Sequence, residues 1–262
     1  MPLGLGSNLS RAISKPITPG IVTDNLVLKH NYNAGSVIPV SDGAAFFDNS
    51  NDYVSIADND SFSFGDGTND SAMTVSAWIN PTDVTNFAII AKNSASHREW
   101  LFTTILEKLH FYVYDNSATA YQGRYYNTDL TSRENTWFHV AATYNGDESD
   151  ADAGICLYLN GARVDDANFT SGSYTAMENK GGIVTIGRSV ANGYYAGGYI
   201  CNANVFSVAL TQAQIKSIMN KNYAGLTSSE KTNLVSWWNL DEGTGTTAND
   251  SHGSNTGTAT NF

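Results

Sequence analysis

The feature that most limits what this chain can fold into is a recurrence of short runs rich in β-branched and aromatic residues, each closed by Gly, Asn, Asp, Ser or Pro. Such runs span residues 22–29, 44–47, 53–57, 73–80, 87–92, 100–106, 109–114, 120–126, 137–144, 155–160, 183–188 and 234–238. No long helical pattern separates most of them, so the strands they predict must pair antiparallel, and their number requires two stacked sheets. Alternation is clearest over 109–114, where Leu109, Phe111 and Val113 share the core face while His110, Tyr112 and Tyr114 share the other. Tyrosines on such an outer face pack across strands more often than they bind a ligand.

At 262 residues, the chain can be a single large all-β domain. A hydrophobic share of 41% against 15% charged, with 23 glycines and 14 tyrosines, describes a folded chain of short strands and many turns. The formal net charge of -11, without clustered Lys and Arg, argues against nucleic acid as the main ligand, because phosphate binding needs clustered cations. The first residues carry Arg11 and Lys15 but no continuous apolar stretch, so no secretory signal is expected. No run is apolar and long enough for membrane insertion as a helix. Cys156 and Cys201 each sit in an apolar strand-like segment and read as buried free thiols of a protein made in a reducing cytoplasm.

Residues 1–20 mix Gly, Ser and Pro with singly scattered Leu3, Leu5, Leu9, Ile13 and Ile17, which reads as an extended N-terminal arm before one domain at 21–262. Thr211, Gln212, Ala213 and Gln214 spell a capping box, with Leu210 and Ile215 placed for a hydrophobic staple. The helix is expected to reach about Asn222 and, with Ile215, Ile218 and Met219 on one face, to plug a sandwich edge. Composition alone makes the Asn/Thr/Gly-rich tail after Glu242 a linker.

Several motifs, in order, resemble the laminin-G-like branch of the concanavalin A-like lectin/glucanase superfamily. They are Phe47-Asp48-Asn49-Ser50-Asn51-Asp52-Tyr53-Val54, Ser76-Ala77-Trp78-Ile79-Asn80-Pro81, Trp137-Phe138-His139-Val140-Ala141-Ala142-Thr143-Tyr144, Leu157-Tyr158-Leu159-Asn160-Gly161 and Ile186-Gly187-Arg188. The resemblance implies an all-β, two-sheet antiparallel jelly-roll sandwich with one short helix. Within it, Trp78 and Trp137 are expected where the sheets meet, Asn160-Gly161 as a hairpin turn, and His139 as a packed histidine without a catalytic role. The stretch 198–203 resembles the family's G-x-I-D-E-V strand with Cys201 and Asn202 in the acidic positions, so no role of those carboxylates carries over. Residues 20–28 and the Gly/Leu-rich start resemble laminin-G-like proteins of tailed-bacteriophage virions, and 238–253 resembles an element that here adds the last strands to the same sandwich.

The superfamily also contains glucanases, whose retaining members need two carboxyl groups about 5 Å apart. The one close match, Glu148, Asp150 and Asp152, lies between Gly146 and Gly154 and reads as an acidic turn. No G-x-S-x-G elbow, C-x-x-C or H-E-x-x-H is present, so no enzyme is expected and glycoside hydrolysis ranks last. Calcium is the one cofactor with candidate ligands, namely Asp48, Asn51 and Asp52 in one loop and Asp66 and Asp70 in the next, although turn chemistry accounts for the same residues. Candidate ligand-binding residues are Tyr121, Tyr125, Tyr126, Tyr194 and Tyr195, since exposed aromatics stack on sugar faces. The expectation is a virion structural protein, a capsid decoration or appendage held by its arm to a phage capsid or tail protein. The alternative is an adhesin for host surface glycans. A homo-oligomer such as a trimer fits either, though no heptad demands it.

Overall fold

The computed structural model describes residues 39–147 and 154–262. The expected arm at 1–20, the strand at 22–29 and the acidic turn at 148–152 lie outside them.

In chain order the strands are β1 (Ala45–Asp48), β2 (Tyr53–Ile56), β3 (Met73–Pro81), β4 (Ala88–Asn93), β5 (Arg98–Ile105), β6 (Lys108–Asp115), β7 (Ala120–Tyr125), β8 (Phe138–Tyr144) and β9 (Ile155–Leu159). The second half of the chain adds β10 (Ala162–Arg163), β11 (Ala167–Ser171), β12 (Val184–Ile186), β13 (Arg188–Ser189), β14 (Tyr194–Tyr195) and β15 (Gly197–Phe206). After helix α1 (Gln212–Ile218) come β16 (Leu234–Trp238), β17 (Thr247–Ala248) and β18 (Gly257–Thr260).

One sheet runs β1-β15-β3-β8-β9-β10, with β16 paired to the far half of β15 in line with β1. The other runs β11-β7-β6-β5-β4-β12-β2-β18-β17, and every pairing in both is antiparallel. The tail after Glu242 therefore adds β17 and β18 to the nine-stranded sheet, because Thr258 and Ala259 pair with Ser55 and Val54 as a ladder needs, whatever their composition suggests. Asn160 (φ 49°) and Gly161 (φ 74°) make the turn between β9 and β10, both in the left-handed region that such a hairpin uses.

Alternation sorts the faces. Met73, Val75, Ala77 and Ile79 of β3 face Trp100, Phe102, Leu109, Phe111 and Val113 of the opposite sheet in the main core. Trp238 joins them, stacked on Phe62 at 6.0 Å.

The tryptophans of the family motifs correct an expectation. Trp78 is buried, but it sits on the outward side of β3, where its indole N–H donates to Met219 O and its ring meets His139 edge-on. Trp137 lies half-buried just before β8, against Tyr199. The two sheets meet instead on Trp100 and Trp238. A motif places a ring on a strand, while strand parity decides which face the ring occupies.

The capping box forms as expected, with Thr211 Oγ1 accepting from Gln214 N and the Gln214 side chain accepting from Thr211 N. The helix ends at Ile218, shorter than expected, and covers the outer face of the seven-stranded sheet instead of plugging an edge. Its Ile215 and Ile218 pack with Ala141, Tyr158, Phe206 and Trp237 in a second cluster. Cys156 and Cys201 are free, and burial pushes the Cys201 thiol up to about 12.

Candidate functional site

The outward face of the nine-stranded sheet collects rings from three neighbouring strands. His110, Tyr112 and Tyr114 of β6 stand opposite Tyr125, Gly123 and Tyr121 of β7, and Phe169 of β11 stands opposite Gly123. A Cβ on Gly123 would fall 2.2 Å from Phe169 Cζ, so the missing side chain is what lets this ring lie over the strand, 4.3 Å from Tyr112. Tyr125, His110, Tyr112 and Tyr114 form a row of near-parallel rings with centroids 5.0, 5.8 and 5.7 Å apart.

This row is packed more than it is open. Its faces meet one another, which leaves mainly edges to a ligand, and burial drives both the Tyr112 and the Tyr114 phenols far above their ordinary value. Burial likewise lowers His110 to about 4. At neutral pH its uncharged ring sits 2.8 Å from Lys108 O through Nδ1, so that nitrogen carries the proton and Nε2 is an acceptor.

The β13–β14 hairpin lies beside this row. Gly187, at φ 80° and with Phe47 2.3 Å from where a Cβ would be, turns the chain out of β12. Asn93 then pins the hairpin, its amide donating to Ser189 Oγ (3.1 Å) and Asn192 Oδ1 (2.9 Å). Tyr194 comes close enough to Tyr112 and Tyr114 to oppose their ionisation.

At the hairpin is a pocket of about 270 Å³ bounded by Asn49, Asp83, Thr85, Asn86, Gly193, Tyr194 and Tyr195. Asp83 Oδ1 accepts from Thr85 N at 2.8 Å, which fixes the carboxylate, while Oδ2 stays free among the described residues. The amides of Asn49 and Asn86 and the hydroxyls of Tyr194 and Tyr195 are also without protein partners there. Tyr195 holds its ring under Arg188, which lies between it (5.3 Å) and Tyr53 (4.7 Å).

Of the tyrosines singled out by sequence, Tyr125 belongs to the ring row, Tyr121 meets its Tyr112 and Tyr114 edge-on, and Tyr194 and Tyr195 line the pocket. Tyr126 packs against the main core and joins neither. Sequence reasoning missed Asn49, Asp83, Asn86 and Phe169. Asp83, Asn86 and Asn49 read as ordinary turn residues, and their convergence with Tyr194 and Tyr195 depends on three loops distant in the chain.

The calcium candidates are engaged by neighbouring groups of the protein. The N–H groups of Asn51, Ser50 and Asp52 hold Asp48 below the usual carboxylate range, and those of Asn69 and Thr68 do the same for Asp66. Asp70 accepts from Tyr144, Tyr174 and Met177 N. Asp52, pushed up by burial and then by Asp48, keeps one buried oxygen without a partner, yet no group of three His, Cys, Asp or Glu suited to a metal forms among the described residues.

Two stacked antiparallel sheets with a short helix on one outer face define a concanavalin A-like jelly-roll sandwich. Residues 48–216 match the laminin-G model of the concanavalin A-like lectin/glucanases superfamily, and the chain belongs to that family. Among solved structures it is similar to a protein of Bacteroides ovatus with a provisional carbohydrate-binding description, at 22% identity and a TM-score of 0.56 over 85% of this chain. The chain spans 58% of that protein's length. More distant likenesses are a heptameric SAP-like pentraxin from Limulus polyphemus (16% identity, 64% of this chain and 82% of that one, TM-score 0.40) and the binding domain of botulinum neurotoxin serotype C1 (17% identity, 57% and 36%, TM-score 0.41). No curated protein sequence matches the chain significantly.

Proposed function

We propose that this chain is a non-catalytic glycan-binding module whose site is the pocket between the β3–β4 loop and the β13–β14 hairpin. The observation that carries the reading is the convergence there of a fixed carboxylate, two amides and two phenols with no protein partners among the described residues. Sugar hydroxyls both donate and accept. Asp83 accepts, the amides of Asn49 and Asn86 do both, and the Tyr194 and Tyr195 rings supply an apolar wall. A volume of about 270 Å³ suits one sugar ring more than a chain. The carbohydrate-binding description of the Bacteroides ovatus protein agrees with this reading.

A glycan array followed by calorimetry on the hits tests it. Losing a hydrogen bond to a charged group costs about 1.5–3 kcal/mol, so Asp83→Ala should weaken binding by about 10- to 150-fold, with Tm unchanged. An array without hits, or hits indifferent to both Asp83→Ala and Asn86→Ala, would refute it.

A second reading places this module on a phage virion, anchored by residues 1–20 to a capsid or tail protein, with the sandwich displayed outward to a host glycan. It is supported by the sequence at residues 1–28, and the two readings are compatible. Virions carrying a chain without residues 1–20 should lose the protein while the released domain stays folded. Retention on the particle removes the reading.

A further inference from the structure

The seven-stranded sheet has an outward face of its own, and the described residues cover only part of it. Helix α1 and the segments around it bury the half that carries Trp78, His139 and Trp237. On the other half, Phe46 of β1 stands opposite Tyr199 of β15, which stands opposite Asn80 of β3, and Trp137 precedes β8 beside them. Phe46 and Tyr199 are 48% and 40% exposed, as isolated large apolar residues on a sheet face seldom are in such company. The rings follow one another at 5.0 Å and 6.2 Å, tilted by 59° and 44°, so each presents a face at an angle to the next instead of closing against it.

A cavity of about 400 Å³ opens beside this row, lined by Ser41, Asp42, Asn80, Trp137 and Tyr199 among others. The Asn80 amide and the Asp42 carboxylate have no protein partners among the described residues. We propose that the row Phe46, Tyr199 and Trp137 is a second ligand site, taking two neighbouring pyranose rings within a neutral polysaccharide. Three aromatic faces in line, about the length of two linked sugars, supply stacking, and Asn80 and Asp42 supply hydrogen bonds at its edge. The charge is decisive for the class. Among the described residues Asp42 is the one ionisable group lining the cavity apart from the Tyr199 phenol, and the chain carries a net -11, so an acidic polymer is disfavoured. Among the described residues the cavity also has no Leu, Ile or Met anchor of the kind an apolar protein-docking groove presents.

The five tryptophans provide the readout, since Trp78, Trp100, Trp237 and Trp238 are at most 1% exposed and Trp137 alone is accessible to an aqueous quencher. Acrylamide quenching is measured on the full chain with and without soluble cello-, xylo-, manno- and chito-oligosaccharides. At least one of these should shield Trp137 at saturation. Tyr199→Ala should weaken that protection at least tenfold, whereas Asp83→Ala should leave it in place at saturation, which separates this site from the pocket. Phe46→Ser, at an equally exposed position, serves as a second variant if Tyr199→Ala loses its fold. Failure of all four sugar series to shield Trp137, or shielding that survives both substitutions, overturns the proposal. So does quenching that rises on deletion of residues 1–38 and falls only when a protein partner is added, because the row would then be a chain-docking surface.

Discussion

A buried lysine, Lys92, ties the nine-stranded sheet to the loops beside it. Lys92 is 0% exposed, and its ammonium meets Glu99 Oε1 at 2.7 Å, Asp58 Oδ1 at 2.9 Å, Ser63 Oγ at 2.6 Å and Lys180 O at 3.2 Å. Glu99 is equally buried, accepts Lys180 N at 2.9 Å, and leaves Oε2 without a partner. Lys92→Met keeps an unbranched chain of similar length and removes the cation, leaving an uncompensated carboxylate. Breaking a buried pair in this way costs about 3–5 kcal/mol, a fall in Tm of about 6–20 °C for a domain of this size. The pH dependence identifies the cause. Burial already raises Glu99 above its ordinary value, and loss of Lys92 must raise it further. A carboxyl whose pKa is higher folded than unfolded takes up a proton on folding, so its penalty is absent below the unfolded value and grows as pH rises through the folded one. The deficit of Lys92→Met should therefore be largest near pH 7–8 and shrink toward the unperturbed value of 4.5. Urea denaturation of wild type, Lys92→Met and Lys92→Met/Glu99→Gln at both ends of that range is the assay, and the double variant should recover most of the loss at pH 7. A loss under about 1 kcal/mol, or an equal loss at both pH values, would refute the account of a desolvated pair.

Close packing, burial and capping each set a further measurable outcome. Gly123→Ala places a methyl 2.3 Å from Phe111 O and 2.2 Å from Phe169 Cζ, and should cost about 1–3 kcal/mol, with amide exchange of β11 rising before that of β6. His110 and His139, lowered by burial to about 4 and about 3, stay neutral in the fold while the unfolded chain protonates below its ordinary 6.5. Their contribution is thus present above pH 6.5 and lost as pH falls toward 4; ring-proton NMR should show neither titrating at pH 5, and His110→Gln should flatten the stability slope in that window. Thr211→Ala removes the capping oxygen of α1 and should cost about 1 kcal/mol, read as increased exchange at Ala213 and Gln214 with β3 unaffected.

The strands of both sheets were largely legible from residues because parity and turn chemistry are local properties. The period-2 pattern at 109–114 assigns Leu109 and His110 to opposite faces before any partner is known, and the structure keeps that assignment. The faces themselves were not legible where a motif ring carried the argument. Trp78 lies one residue from Ala77 and Ile79, which reach the main core, so it must point outward, and only the covering helix makes it buried. Asn202 shows the same limit. In place of a family carboxylate, it adopts φ 50° at a bulge of β15, donates to Val40 O and accepts from the Trp237 indole, a structural role that no local pattern announces. The pocket was least legible, because Asn49, Asp83 and Gly193 are brought together only by sheet topology and by the reversal at Gly187.

The two candidate sites are what the described residues leave open, and between them they are lined from the end of β3 and the loop that follows it. Asn80 lines the cavity beside the aromatic row and Asp83 lines the pocket, and Thr82 between them is tied back to β15 by its N–H and hydroxyl on Gly197 O. Three residues span at most about 11 Å when extended, so a short rigid stretch of backbone fixes the distance from one site to the other. A ligand long enough to reach both would bind with an avidity set by that spacing instead of by a flexible linker. Short oligosaccharides should then show independent losses for Tyr199→Ala and Asp83→Ala, each confined to its own site. For a long chain, either substitution alone should remove the gain over the short one, since both sites must be engaged to produce it. If long and short ligands bind equally well to wild type, the two sites act separately, and their shared loop serves the fold alone.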